Sequence, residues 1–232
     1  MTAARRSLPA ALPAALLDAL EATGPRPALV WYGEEGRTEL SGHVLASWVI
    51  KSVNHLADEV ALAAGDGLLL DLPAHWKRLV LALAGWSLGL EVHVAPGRDD
   101  AAAAPAAAPP SGGTVATDAP EGQAALDADE VLALEAVALS MRFPGPLPPL
   151  TRDWAQEVRA SGDALGVPLG PWSGPAPDEG PASRAVLVAS DGAAGGAVAA
   201  ALLAVLAGGG LVVGPAARVD PAQAASEGVA AP

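Results

Sequence analysis

Cysteine is missing altogether from the 232 residues. Disulfides, thiolate metal ligands and a cysteine nucleophile are therefore excluded. Aromatic side chains make up only 3%, with six Trp, one Tyr and one Phe. Basic residues are scarce as well. Lys and Arg number 13 against 26 Asp and Glu, which gives a net charge of −13. Such a chain lacks the cation clusters that neutralise nucleic-acid phosphates or an anionic membrane surface, so it calls for neither partner. The apolar stretch 197–213 is broken by Gly208-Gly209-Gly210. It falls short of the roughly 20 residues of a membrane span and reads as helix, turn and strand. Arg5-Arg6 is followed by Pro9, Pro13, Asp18 and Glu21, which is no secretory signal pattern. The expected location is cytoplasmic.

Hydrophobic residues reach 51% and charged residues only 17%, enough for a sizeable core. Much of that apolar content is Ala, so Leu, Val and Trp must supply most of the burial energy. Leu12, Leu16, Leu17 and Leu20 fall on one side of a helix over 8–22, ended by Pro25 and Pro27. Residues 28–32 and 38–40 form a hairpin around the turn Glu34-Glu35-Gly36-Arg37. Ser41 caps the next helix. There Leu45, Trp48, Val49, Val53, Leu56 and Val60 recur at helical spacing, with Lys51, Asn54, His55, Asp58 and Glu59 largely opposite, and Gly65 is its stop.

Residues 68–72 are nearly all apolar, the mark of a strand covered on both faces. A helix over 76–88, buried around most of its girth, leads through Gly89 to a strand over 91–95. Strand, helix and strand in this order make a parallel crossover. Residues 97–113 are an Ala/Pro/Gly-rich loop. Short strands are predicted at 114–117 and from Val131, and a short helix at 154–160. Residues 143–150 and 161–182 are Gly/Pro-rich loop. A second strand–helix–strand unit spans 185–189, 195–206 and 211–213, followed by a helix over 221–227. The expected division is a first α/β unit at 1–96, the 97–113 loop, and a second α/β half at 114–232. That half packs on the same sheet or forms a second subdomain.

Gly65-Asp66, the apolar strand, Leu72-Pro73 and Gly89 stand at a spacing that resembles the start of the AMP-binding, adenylate-forming enzymes. Ser87 takes the place of that family's lysine before the glycine. Asn54, Leu56 and Ala57 match a later part of its preceding helix, about one turn further along. The segment from Arg184 to Val213 is similar to the part after the family's phosphate loop, and Asp220-Pro221 matches an Asp-Pro that follows. The turn Ser190-Asp191-Gly192-Ala193-Ala194-Gly195 has neither the aromatic residue nor the histidine found there. The family's Ser/Thr/Gly-rich loop ending in Pro-Lys is replaced by residues 143–181. Its later acidic motif and adenylation lysine are not among these residues. The resemblance implies an α/β fold with a mainly parallel sheet flanked by helices on both faces.

Ligands of open parallel sheets bind outside the carboxyl ends of strands. Asp71, His75 and Trp76 at the exit of the 68–72 strand are therefore candidate ligand-binding residues. Packing of Trp76 in the first helical turn, with a solvated His75, is the competing reading. Asp191, Gly192 and Gly195 are the candidates at the exit of the 185–189 strand, where backbone N–H groups can hold an anion. Close helix–strand packing is the alternative role for Gly195 and Gly196. His43, His55 and His93 show no metal-ligand spacing, and neither a metal nor a cofactor is expected. Adenylation needs positioned donors, Mg²⁺ and a lysine around a transferring phosphoryl centre. The resemblance without those parts points to a non-catalytic binding or assembly module, as a homodimer or with a protein partner. An enzyme or nucleotide/acyl-CoA binder that reuses the strand-exit crevice, or a subunit that completes a split synthetase, is the alternative.

Overall fold

The computed structural model describes residues 12–95, 113–135, 140–176, 185–187 and 210–229. The chain is α/β, with helices covering both faces of a five-stranded, all-parallel sheet. α1 (Leu12–Thr23) precedes the hairpin of β1 (Pro27–Gly33) and β2 (Gly36–Ser41). α2 (Gly42–Asn54) is capped by the Ser41 hydroxyl, which accepts from the Val44 N–H at 3.3 Å. The sequence places the stop of this helix at Gly65, yet it ends at Asn54 in a π-turn, His55–Glu59. The wider turn keeps both Leu56 and Val60 buried. Ala61 then reverses the chain in the left-handed region at φ 62°.

β3 (Gly67–Asp71), α3 (Trp76–Leu88) and β4 (Glu91–Val94) form the first crossover, with β3 and β4 parallel. All thirteen residues of α3 are buried. Gly89 ends it at φ 80°, a conformation that costs glycine nothing. β5 (Thr114–Thr117), α4 (Gln123–Leu126), β6 (Glu130–Ala133), β7 (Thr151–Asp153) and α5 (Trp154–Glu157) follow. A single 3₁₀ turn, Val158–Ala160, completes α5. The strand order is β4-β3-β5-β6-β7. β7 is unforeseen in the sequence, because Thr151-Arg152-Asp153 is half-buried and carries no apolar pattern.

A second sheet has the order β2-β1-β9-β8, where β8 is Ala185–Leu187 and β9 is Leu211–Gly214. β8 and β9 run parallel, as a crossover demands, and β9 lies parallel to β1. The helix expected at 195–206 lies outside the described residues. α6 (Pro221–Glu227) closes the fold with a capping box formed by Asp220 and Gln223.

Strand alternation sorts the core. Leu68, Leu70, Ala116 and Leu132 share one cluster with the buried residues of α1, α2 and α3, and so do Leu29, Trp31 and Val212. These helices therefore fill the layer that serves both sheets. Leu69, Val115 and Val131 turn to Ala125 of α4 on the opposite face. Val30, Tyr32 and Val213 turn to Ala224 of α6. The helical layer is tight where α1 meets α2. A Cβ on Gly42 would lie 2.2 Å from the Leu20 carbonyl oxygen and 2.7 Å from the Thr23 Cβ. Neither group can move without shifting α1. Gly42→Ala is expected to destabilise the protein by about 3 kcal/mol, read as a lower urea midpoint. A midpoint equal to that of the unsubstituted protein would refute this contact.

Candidate functional site

β3 leaves its sheet at Asp71, and four residues later His75 caps α3. The His75 Nδ1 accepts from the Lys77 N–H at 3.2 Å. The ring is buried rather than solvated. Burial first, then the positive charges of Lys77 and Arg78, push its pKa down to about 3, so the imidazole is neutral at physiological pH. Asp71 accepts from the Thr117 hydroxyl at 3.3 Å, joining the exits of β3 and β5. Trp76 is 1% exposed, and its ring meets Trp48 edge-on at 5.3 Å. Trp48 in turn stacks on Trp154 at 5.8 Å. Three indoles thus join α2, α3 and α5. The Trp76 indole N–H has no hydrogen-bond partner among the described residues.

Beside this stack lies a cavity of about 640 Å³. α2 contributes His43, Val44, Ser47, Trp48 and Lys51, and the start of α3 contributes Trp76 and Lys77. Ser140, Met141 and Arg159 close the remaining side. Trp76 and Lys77 follow the exit of β3, and Glu135, which holds Lys77, follows the exit of β6. The cavity is therefore at the carboxyl ends of the strands, on the side of α2 and α3, where ligands of open α/β sheets sit.

Among the described residues its ionisable lining is entirely basic, in a chain of net charge −13. The sequence has only two lysines, Lys51 and Lys77, and both line this cavity. Lys51 donates to the Ser161 carbonyl at 2.5 Å and pairs with Asp163 at 3.0 Å, so it anchors the loop after Arg159. Lys77 is 1% exposed, donates to the Glu135 carbonyl at 2.9 Å and lies 5.8 Å from the centre of the Trp76 ring. Burial pulls its pKa down to about 8, partly offset by the carboxylates of Glu135, Glu35 and Asp153. Arg159 meets the Met141 thioether, and among the described residues it has no carboxylate partner.

Of the residues singled out in the sequence, Trp76 lines the cavity, His75 is the cap beside it, and Asp71 stands apart on Thr117. Asp191, Gly192 and Gly195 lie outside the described residues. Lys51, Lys77 and Arg159 escaped notice. Lys77 did leave a signal, as one of two adjacent charged residues, with Arg78, inside a helix otherwise almost wholly apolar. No cluster of three His, Asp or Glu side chains suited to a metal ion occurs among the described residues, and no helix among them is long and apolar enough to cross a membrane.

Of the segment that replaces the phosphate loop, Arg159 lines the cavity, whereas residues 162–173 pack elsewhere. The Asn54 amide donates to the carbonyls of Gly162 and Ala164 and accepts from the Gly166 N–H. Gly170 lies against the Leu88 carbonyl, and Ser173 donates to the Leu90 carbonyl at 2.7 Å. Trp172 packs on Trp86. These contacts run along the carboxyl ends of α2 and α3, about 18 Å of helix from Trp76. Residues 162–173 thus pack away from the strand-exit end.

No family model matches the chain. A stretch of 86 residues is 33% identical to a "TIGR03089 family protein" of Mycobacterium tuberculosis, covering 36% of this chain and 35% of that protein. Among solved structures, the A domain of carboxylic acid reductase from Segniliparus rugosus, in complex with AMP and a co-purified carboxylic acid, superposes with a TM-score of 0.56 at 12% identity. It covers 87% of this chain and 44% of that one. A Mycobacterium tuberculosis fatty acyl CoA synthetase superposes with a TM-score of 0.52 at 13% identity, covering 88% and 44%. The fold is that of the N-terminal subdomains of adenylate-forming enzymes. The chain spans less than half the length of these relatives, and the resemblance read in its sequence holds at the level of fold.

Proposed function

We propose that this chain is a binding module on the adenylate-forming fold, with adenylation lost and the basic, Trp-walled cavity as its ligand site. What carries this reading is the position of the two lysines. Both line the cavity beside α3, and neither lies in the stretch where the family keeps its Pro-Lys loop. Residues 162–173 of that stretch clasp α2 and α3 at the end remote from the cavity, while Arg159 lines it. That stretch carries Arg152 and Arg159 but no lysine, so the lysine that phosphoryl chemistry of this family uses is missing from it. The module works as a homodimer or on a partner protein.

Calorimetry and an AMP-release assay with ATP, Mg²⁺ and a panel of carboxylic acids test this directly. The purified chain is expected to give neither binding heat with ATP or AMP nor AMP release. AMP formed by the chain alone would overturn the reading. Light scattering on the same sample is expected to show a dimer, and a clean monomer at micromolar concentration would leave only the partner-protein form. One observation favours the enzymatic alternative: residues 162–173 pack away from the strand-exit end, where ligands of such sheets bind. The same AMP-release assay decides between the two.

A further inference from the structure

The arginines of this acidic chain are not all paired. Arg37, Arg152 and Arg218 each meet a glutamate. Arg142 and Arg159 are exposed, and among the described residues neither has a carboxylate partner. Arg159 lines the Trp-walled cavity. Arg142 lines a second hollow of about 850 Å³ with Phe143, Leu147 and Asp153. Ser140 and Met141 line both, so the two hollows adjoin. Met141 is 59% exposed at their junction and meets Arg159. A pocket for one small molecule measures about 300–1,000 Å³, and each hollow falls in that range by itself. A surface that joins two of them suits an extended chain. We propose that it docks an acidic peptide segment of a partner protein, with Arg142 and Arg159 facing its carboxylates and Met141 its apolar side chains. The proposal rests on the reading of this chain as a module that works on a partner protein.

Charge complementarity selects this occupant. A molecule of net charge −13 repels an acidic segment over most of its surface, so two unpaired guanidinium groups beside Met141 also set where such a segment can land. The carboxylates nearby are engaged. Asp153 accepts from the Phe143 N–H at 2.8 Å and from the Gln156 N–H at 3.1 Å. Glu21 and Asp163 are held by His43 and Lys51. The wall of the second hollow is stiff as well. Pro144, Pro146, Pro148 and Pro149 fix φ at about −65°, and the bond from Phe143 to Asp153 pins one end, so little freedom is lost on binding. The carbonyls of Gly145, Pro146 and Leu147 accept no hydrogen bond among the described residues. They are therefore acceptors for the N–H groups of an extended chain. Met141 supplies an adaptable apolar contact between the two hollows.

Fluorescence anisotropy on the full chain tests the proposal with labelled peptides of alternating Glu and Leu, of Lys and Leu, and of Glu and Ser. The Glu/Leu peptide is expected to bind at least about tenfold more tightly than the Glu/Ser peptide, which has no leucine to bury. The Lys/Leu peptide is expected not to bind. Arg142→Glu and Arg159→Glu are each expected to weaken the Glu/Leu complex about fivefold. Arg218→Glu makes the same charge reversal beside the other sheet and is expected to weaken it less than about twofold. All three residues are exposed, so the variants keep their fold, and unchanged urea midpoints check this. With the unsubstituted protein the complex is expected to weaken at least about tenfold in about 0.5 M salt. Equal effects of the three variants, or a Lys/Leu peptide that binds as tightly as the Glu/Leu peptide, would overturn the proposal. So would a dimer in light scattering that Arg142→Glu dissociates, because the occupant is then a second copy of the chain. The outcomes also separate this surface from the reading it rests on. No peptide binding with no AMP release removes the docking surface and leaves the cavity as a ligand site. Peptide binding with AMP release keeps the surface and overturns the loss of adenylation.

Discussion

Trp76→Ala is expected to cost about 4 kcal/mol of stability and to remove the inner wall of the cavity. Trp76 is 1% exposed and sits between His75, Trp48 and Lys77. Truncation of a buried tryptophan typically costs about 3–5 kcal/mol, because transfer energy and a residual cavity both count. The edge-on contact with Trp48 adds about 1 kcal/mol of aromatic pairing that alanine cannot replace. Any relief comes from loss of the unpaired indole N–H, which the structure leaves without a partner among the described residues. Trp76→Phe should recover most of the loss, since it keeps a ring against Trp48 and deletes only the N–H and one ring's worth of area. Chemical denaturation of both variants checks the order. A cost below about 1 kcal/mol for alanine would mean that the three-indole stack does not bind α2, α3 and α5 together.

Local signals in the sequence carried a large part of this architecture. The hairpin of β1 and β2, the Ser41 cap, β3, α3 with its Gly89 stop, and the Asp220 cap of α6 all depend on residues within a few positions of one another. Each has a short-range physical cause, whether a turn residue, a capping hydroxyl or a continuous apolar run. What stayed hidden depends on distance along the chain. β1 pairs with β9 across more than 170 residues, so the first hairpin and the last crossover share one sheet, and no local pattern announces that. α2 passes into its π-turn at Asn54, whose side-chain amide bonds to the remote Gly162, Ala164 and Gly166. Helical periodicity continued past it and gave no warning.

The site was legible to the same degree. Strand-exit logic found Trp76 and His75 because the rule concerns a position, and position follows from β3 and α3 alone. Lys51 was read as part of a solvated helix face. It borders a cavity because the chain returns with Ser140, Met141 and Arg159, about ninety or more residues later. A cavity wall assembled from three remote segments leaves no trace in any one of them. Lys77 is the exception, since a charge inside a wholly buried helix conflicts with its surroundings, and such conflicts gather at functional positions.

His75 makes the stability of this protein acid-sensitive in a defined window. Its folded-state pKa is about 3, below the usual histidine value of 6.5, with burial the leading cause. Between these two values the unfolded chain takes up a proton that the folded chain refuses. Folding therefore keeps the full benefit of the neutral ring above pH 6.5 and loses it progressively as the pH falls toward 3. The slope approaches about 1.4 kcal/mol per pH unit, and about 5 kcal/mol is at stake across the window. His75→Asn isolates the effect, because asparagine retains a side-chain acceptor for the Lys77 N–H at the helix cap and does not titrate. Carboxylates contribute equally to both proteins, so the difference between their stability curves is the contribution of this one ring. Urea midpoints measured from pH 7.5 to 4 are expected to converge or cross as the histidine protein weakens faster. Parallel curves would mean that the imidazole is charged in the folded protein, and that the cap of α3 is open to water.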